Sequence, residues 1–383
     1  MSGQGRIYLK RLALSGFRNY QSQALALDGR HVCLFGPNGA GKTNLIEAVS
    51  QFSPGRGLRS AGLPDMAQVQ EGQPGASWAL GATLFDGDLD RSIRIEASLE
   101  GSGRGKRVMQ VDGATATASS LSDLVRIIWL TPAMDRVFAG GATERRRFLD
   151  RQTLAHFPTH ARHSTAYEKA MRERNLLLER DRADPVWLDG LEARLAEHGA
   201  HIAYHRKVTV DRLQAAVELR PDSAFPKADL GLEGDAEQAF VGGQTVPEVT
   251  ELLTTQYRDG RRRDAAAGRT LSGPHRSDLT VVHRPTAVPA ALCSTGQQKA
   301  LLIGLILSNA RALEMEEELR NPLVLIDEAV AHLDPDRRAA LFDELSSLQG
   351  QAWLTGTEES LFNGFQDRAQ FFRVEGGHVV ENA

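Results

Sequence analysis

The chain has 383 residues, 41% of them hydrophobic and 25% charged, with a formal net charge of −4. That length predicts two or three lobes rather than one simple core, and the mild acidity excludes nucleic-acid binding through bulk charge, so any basic surface is local. Two cysteines, Cys33 and Cys293, exclude a disulfide framework, and no stretch reaches the ~18 apolar residues of a membrane span.

The opening MSGQGRIYLKRL lacks the apolar core of a signal peptide, so a cytoplasmic protein is expected. Ile7 to Leu14 reads as a strand, and GFRNY (16–20) as a turn. HVCLF (31–35) is a short apolar run of the kind that forms a buried strand. It feeds GPNGAGKTN (36–44) and then the helical LIEAVS. Residues 78–111 alternate in strand fashion, with Asp112-Gly113 as a turn signal and GSGRGK (101–106) as a hairpin loop. From about 142 to 220 apolar residues recur at helical spacing among charges of both signs. RDGRRRDAAAG, with Arg261, Arg262 and Arg263, reads as a glycine-flanked loop. Strand character returns at 278–283. A helix over 297–319, a strand at 323–326, a helix from about 335 and a strand at 352–355 complete the chain. The fold class is α/β, a core with an inserted, mainly helical lobe. The expected segments are 1–140, 141–265 and 266–383.

The stretch 36–43 matches G-x-x-x-x-G-K-[ST] in full, after a strand and before a helix. Gly36, Pro37, Asn38, Gly39, Ala40 and Gly41 leave backbone N–H groups to cradle phosphate oxygens. Lys42 reaches the β- and γ-phosphates, and Thr43 offers a hydroxyl to Mg²⁺. The second signal is PLVLIDEAVAHLD (322–334). Its apolar strand ends in two carboxylates, at the sheet edge where ligands bind. Asp327 is then the Mg²⁺-side carboxylate, and Glu328 is the catalytic group that orients or deprotonates the attacking water. An acid-rich helix start is the structural alternative.

The third signal is CSTGQQKALL (293–302). Ser294 and Gln297 have capping-box spacing. Gly296 is a poor residue for a first helical turn unless something approaches the backbone closely. A Ser-Gly-Gln helix start shortly before an Asp-Glu strand end resembles the L-S-G-G-Q signature of ABC-type ATPases, with Cys293 and Thr295 as departures. In that superfamily the helix end faces the γ-phosphate held by a second protomer. The resemblance therefore implies an ATP-dependent homodimer with Ser294, Thr295, Gly296 and Gln297 acting in trans, and Leu333 and Asp334 in a D-loop at the same seam.

GFRNY, GRGLRS (55–60), WLTPAMDRVFAGGATERRRFLD (129–150), LSGPHRSDL (271–279) and STGQQKALL occur in this order. Together they resemble the RecF family of SMC-like bacterial DNA repair ATPases, from about residue 9 to 380. The resemblance implies an ABC/SMC-type head, ATP and Mg²⁺, weak DNA-stimulated ATP hydrolysis, and closure on double- and single-stranded DNA. It implies recombinase loading at single-strand gaps with recombination mediator proteins, a part in SOS induction, and no membrane. Arg18 and Asn19 are expected near the nucleotide, or else pack at a strand end. His275 and Arg276 are expected near the nucleotide or the dimer seam, or else form a structural turn. Arg145, Arg146 and Arg147 are candidates for DNA phosphates or for a solvated helix start, and Arg261 to Arg263 likewise. Two departures imply slow hydrolysis: Thr131-Pro132 where the superfamily has a Q-loop glutamine, and Thr355-Gly356-Thr357 where it has a histidine. Histidines 156, 160, 163, 198, 201 and 205 read as separate surface or core residues. The competing function is the nucleotide-binding subunit of an ABC transporter, against which the helical lobe and GPHRSDL argue.

Overall fold

A computed structural model describes residues 6–70, 72–99, 105–179, 184–316 and 321–382. Its contacts divide the chain into two compact units, one of residues through 134, 222–225 and 306–383, the other of 135–221 and 226–305. The second unit thus continues to 305, beyond the expected division at 265.

The first unit holds two six-stranded sheets. One is antiparallel, in the order β2 (Tyr20–Ala26), β1 (Tyr8–Phe17), β6 (Ser77–Phe85), β7 (Asp90–Leu99), β8 (Gly105–Val111) and β9 (Ala114–Ala116). Alternate residues of β6, among them Trp78, Leu80 and Leu84, are buried, so one face of this sheet packs on the core. Of the expected 101–106 hairpin loop, 101–104 lie outside the described residues, and Gly105 and Lys106 already belong to β8. Asp112 takes a left-handed φ of 51°, in keeping with the Asp-Gly turn signal. A two-stranded ribbon, β4 (Val69–Gln70) with β5 (Gln73–Pro74), stands apart from both large sheets.

The other large sheet runs β10 (Arg126–Leu130), β14 (Pro322–Ile326), β15 (Ala352–Gly356), β3 (His31–Phe35), β16 (Ala369–Glu375) and β17 (His378–Asn382). The first five are parallel and β17 is antiparallel. Every residue of β3, β10, β14 and β15 is buried. Burial on both faces is why these strands read as unbroken apolar runs rather than alternations. The unit's helices are α1 (Lys42–Ser50), α2 (Leu63–Met66), α3 (Ala118–Leu124) and α10 (Pro335–Ser347). β15 lies between β3 and β14, which sets the geometry of the site below. The β16–β17 hairpin went unread in the sequence, although Gly376-Gly377 is a turn signal between its strands.

The second unit is built on α4 (Ala142–His156), α5 (His160–Leu178), α6 (Pro185–Leu219), α7 (Asp235–Val241) and α8 (Val246–Ala267). It also holds the sheet β11 (Ala228–Glu233), β12 (Asp278–His283), β13 (Val288–Pro289) and the start of α9 (Thr295–Met315). At 35 residues α6 is about 50 Å long. Asp184 caps it by accepting from the Val186 N–H at 2.9 Å, and Pro185 occupies its first turn. Leu188, Leu191, Leu195 and Ile202 carry its buried stripe.

The expected loop at Arg261 to Arg263 is corrected: these residues lie within α8. A glycine inside a helix costs about 1 kcal/mol, but Val249, Leu253 and Tyr257 bury the same helix face, and a Thr245/Glu248 capping box starts it. Arg174 then ties three helices together with its side chain fully buried. It donates to Glu192 at 3.0 Å, Asp264 at 2.8 Å, Thr270 Oγ1 at 2.9 Å and the Tyr257 carbonyl at 2.7 Å. A buried guanidinium is tolerated when its donors are matched in this way.

Candidate nucleotide site

The glycine-rich loop connects β3 to α1. Gly41 sits at φ 119°, and a Cβ there would lie 2.6 Å from the Tyr20 hydroxyl and the Asn19 amide, so no larger residue fits. Lys42 is 4% exposed, and its ammonium donates to the Gly36 carbonyl at 2.7 Å and the Pro37 carbonyl at 2.9 Å. Burial pulls its pKa down, with Glu328 and Asp327 acting in the opposite sense.

Thr43, one residue on, donates its hydroxyl to Asp327 Oδ1 at 3.0 Å. The same oxygen accepts from Thr355 Oγ1 at 2.8 Å, and Thr355 Oγ1 in turn accepts the Glu328 N–H at 2.8 Å. The strand order explains this junction: Thr355 is the penultimate residue of β15, which separates the strand before the loop from the strand before the carboxylates. Burial raises the pKa of Asp327, and the Thr355 and Thr43 hydrogen bonds oppose the rise. Glu328 has a left-handed φ of 53°, rare for a residue with a Cβ. Thr43, Arg59, Thr131, Asp327 and Glu328 line a pocket of about 550 Å³. Thr131 at the Q-loop position thus reaches the same cavity.

Thr355 was read in the sequence only as a position lacking a histidine. Its hydroxyl in fact joins the Asp327 carboxylate to the Glu328 backbone N–H, and the available signal was a threonine near the end of an otherwise apolar run. Arg59 was also missed as a site residue. It donates to Asn44 Oδ1 at 2.7 Å and to Glu47 at 3.2 Å. The fully buried Glu47 is also forked by Arg18 at 2.6 and 2.9 Å. Arg18 is therefore committed to α1 and to the Asp65 carbonyl. Asn19 touches the glycine-rich loop itself, donating to the Ala40 carbonyl at 3.0 Å and accepting from Asn44 at 2.7 Å.

The capping box read at 294–297 is present. The Gln297 N–H donates to Ser294 Oγ at 3.3 Å, and the Ser294 N–H donates to Gln297 Oε1 at 3.0 Å. Ser294, Thr295 and Gly296 are exposed, as is the neighbouring Leu292 at 76%. At the D-loop position Leu333 is buried, while Asp334 caps α10 by accepting from the Arg337 N–H at 2.9 Å.

Two sequence elements interlock in the second unit. Arg145 forks onto Asp278 at 2.8 and 2.6 Å and donates to the Gly140 carbonyl at 2.7 Å. Arg146 donates to the Ser277 carbonyl at 2.6 Å and to Thr143 Oγ1 at 3.0 Å. Of the three arginines named as DNA candidates, Arg147 alone is largely exposed, and Glu144 pairs with it at 2.9 Å. Arg206 forks onto Asp150 at 2.7 and 2.9 Å and reaches the Pro274 carbonyl and Ser277 Oγ. Gly273, at φ 113°, has room for no Cβ, since one would lie 2.4 Å from the Tyr257 hydroxyl. His275 Nε2 lies 3.0 Å from the Thr270 carbonyl, so Nε2 carries the proton and Nδ1 accepts from Tyr167 at 2.7 Å. The GPHR turn is thus a packed junction of α5, α6 and α8. Removing one partner of such a pair leaves the other uncompensated. Arg145→Ala is expected to lower stability by roughly 2–4 kcal/mol, read as a lower midpoint in denaturant melts, with the loss much smaller for Arg147→Ala.

Five of the six histidines, 160, 163, 198, 201 and 205, are not separate as the sequence reading had them. His163 Nδ1 lies 3.2 Å from His198 Nδ1, the His163 and His201 rings are 4.4 Å apart, and His205 stacks on Phe157. Among the described residues no group of three or more His, Cys, Asp or Glu could hold a metal ion, and no helix is long and apolar enough to cross a membrane.

The family model for the RecF/RecN/SMC N terminal domain matches residues 8–379. The DNA replication and repair protein RecF of Brucella suis biovar 1 (strain 1330) is 48% identical over 377 residues, covering 98% of this chain and 96% of that one. The chain belongs to the RecF family. RecF of Caulobacter vibrioides is 47% identical over 369 residues, with 95% of each chain covered. A solved structure of the recombination mediator protein RecF-ATPrS in the RecFOR pathway has a TM-score of 0.85 at 22% identity over the whole of both chains, which gives the same fold. An SMC head domain from Pyrococcus furiosus aligns at a TM-score of 0.54 and 15% identity over 98% of this chain. The fold class is thus the ABC/SMC-type ATPase head of the RecF family, and the ABC-transporter alternative falls away.

Proposed function

We propose that this chain is an ATP-dependent DNA-binding ATPase of replication and recombinational repair, which closes as an ATP-bound homodimer on DNA. The observation that carries the reading is the junction of Thr43, Asp327, Thr355 and Glu328 beside Lys42. Thr43, at the end of the glycine-rich loop, shares one pocket with the two carboxylates read as the cation-side and catalytic groups, which supports this reading. The exposed Ser294 helix start supports the trans arrangement, since uncommitted N–H groups at a helix end form an anion site.

In this reading residues 36–43 bind the triphosphate of ATP, with Asn19 bracing the loop. A hydroxyl and a carboxylate oxygen 3.0 Å apart are hard-oxygen donors suited to Mg²⁺, which takes its other ligands from phosphate and water. Thr43 and Asp327 would hold it, and its charge would offset that of the β- and γ-phosphates. Glu328, held by its N–H bond to Thr355, orients the attacking water and accepts its proton. Thr131-Pro132 and Thr355-Gly356-Thr357, in place of a glutamine and a histidine, make turnover slow. The signature residues Ser294 to Gln297 and the D-loop at Leu333 and Asp334 meet the partner's nucleotide. DNA stimulates hydrolysis by favouring the closed dimer. The dimer acts on double-stranded DNA next to single-strand gaps, with recombination mediator proteins, to help load recombinase and support SOS induction in the cytoplasm.

Glu328→Gln tests the catalytic assignment. It keeps the shape and removes the base, so ATP should bind and persist. Single-turnover hydrolysis should fall by about 10²–10⁴-fold, with the dimer trapped. Hydrolysis at the wild-type rate would remove Glu328 from the mechanism.

A further inference from the structure

The two family-marking elements, AGGATERRRFLD and GPHRSD, converge on a charge imbalance. Asp278 is forked by Arg145, and Asp150 is forked by Arg206. The nearby carboxylates are thereby taken. Arg146 makes only neutral contacts, to the Ser277 carbonyl and the Thr143 hydroxyl. Arg276, the residue before Ser277, is exposed, and its side chain makes no hydrogen bond or ion pair among the described residues. Burial and then the charge of Arg206 lower the pKa of Arg146, Asp278 and Asp150 act against the fall, and Arg276 adds to it. Asp278 and Asp150 offset part of this but are already forked by Arg145 and Arg206, so an arriving oxyanion would relieve the repulsion left between the two neighbouring guanidiniums.

We propose that Arg146 and Arg276 form a clasp for one backbone phosphate of DNA. This inference rests on the DNA-binding reading above. Arg146 is fixed beforehand by the Ser277 carbonyl and Thr143, so it loses little freedom on binding. Arg276 is free to close over the phosphate from the adjoining turn. His275 adds no charge, because burial lowers its pKa and its ring is committed to Thr270 and Tyr167. The clasp reads no base, so it acts on any sequence.

The test is a salt titration of binding to a fluorescently labelled duplex by full-length wild type, Arg276→Ala and Arg276→Lys, in ATP. Wild type should show a linear log–log slope. Arg276→Ala should lose about 0.9 of that slope, the value for one phosphate contact on duplex. Arg276→Lys should keep it, since the positive charge remains. Melting temperature and ATP affinity should match wild type in both variants. An unchanged slope in Arg276→Ala, with wild type still binding DNA in a salt-dependent way, overturns the clasp and leaves the DNA-binding reading standing. A loss of ATP affinity with the slope retained also overturns it, by assigning the pair to a nucleotide. Salt-independent or absent DNA binding by wild type overturns both.

Discussion

Lys42→Ala is expected to abolish measurable ATP binding at micromolar nucleotide. Lys42 is 4% exposed at the end of the glycine-rich loop, and in the proposed reading its ammonium supplies the positive charge for the β- and γ-phosphates. Hydrogen bonds to charged groups contribute about 1.5–3 kcal/mol each. Losing two of them weakens binding by about 10²–10⁴-fold. Unfolding is not the cause to expect. Folding depresses the Lys42 pKa, so its positive charge opposes folding at neutral pH rather than favouring it. The variant should therefore melt at or above the wild-type temperature when no nucleotide is added. Titration calorimetry with ATP checks the first expectation and thermal melting the second. Equal ATP affinity in variant and wild type would remove residues 36–43 as the nucleotide site.

The second large effect is expected at the start of α9. Ser294→Arg should leave ATP binding to the protomer intact while dimerisation, hydrolysis and ATP-dependent DNA binding fail together. Ser294 is exposed, so the fold of its own protomer should accept the new side chain, which fills the space assigned to the partner's γ-phosphate. Hydrolysis should fall by about 10²-fold or more, the scale of losing a preorganised anion donor. The substitution also removes a helix cap worth about 1 kcal/mol. Ser294→Ala removes the same cap and hydroxyl without the bulk, so it should lose less activity than Ser294→Arg and still dimerise. Mixing Ser294→Arg with Lys42→Ala protein sharpens the test. One composite site then carries both lesions and the other carries neither. Activity should return on mixing two inactive proteins, an outcome that a site acting in cis does not produce. If Ser294→Arg destroys ATP binding by the protomer alone, the signature serves its own pocket or only the fold.

The parallel core was legible because its strands are buried on both faces and so spell continuous apolar runs at 31–35 and 323–326. The glycine-rich loop was legible because its spacing is fixed by backbone geometry. Two kinds of information were not local enough to read. Thr355 acquires its role only because β15 inserts between β3 and β14, a fact of strand order rather than of sequence spacing. The arginine runs misled for a related reason. Arg145 and Arg146 look like a basic surface until Asp278 and Ser277, more than 120 residues away, are brought beside them. Arg261 looked like part of a loop because Gly260 interrupts the helical pattern, while α8 is held by the buried partners Glu192 and Arg174. The histidines cluster because α5 and α6 pack side by side, which their separate spacings did not reveal.

Sedimentation velocity of the wild-type protein, with and without ATP and with and without DNA, tests the central claim most directly. The account predicts that ATP shifts the protein from protomer towards dimer. It predicts that DNA together with ATP strengthens that shift, and that Glu328→Gln holds the dimer longest. An unchanged sedimentation coefficient on adding ATP, in both wild type and Glu328→Gln, would contradict it.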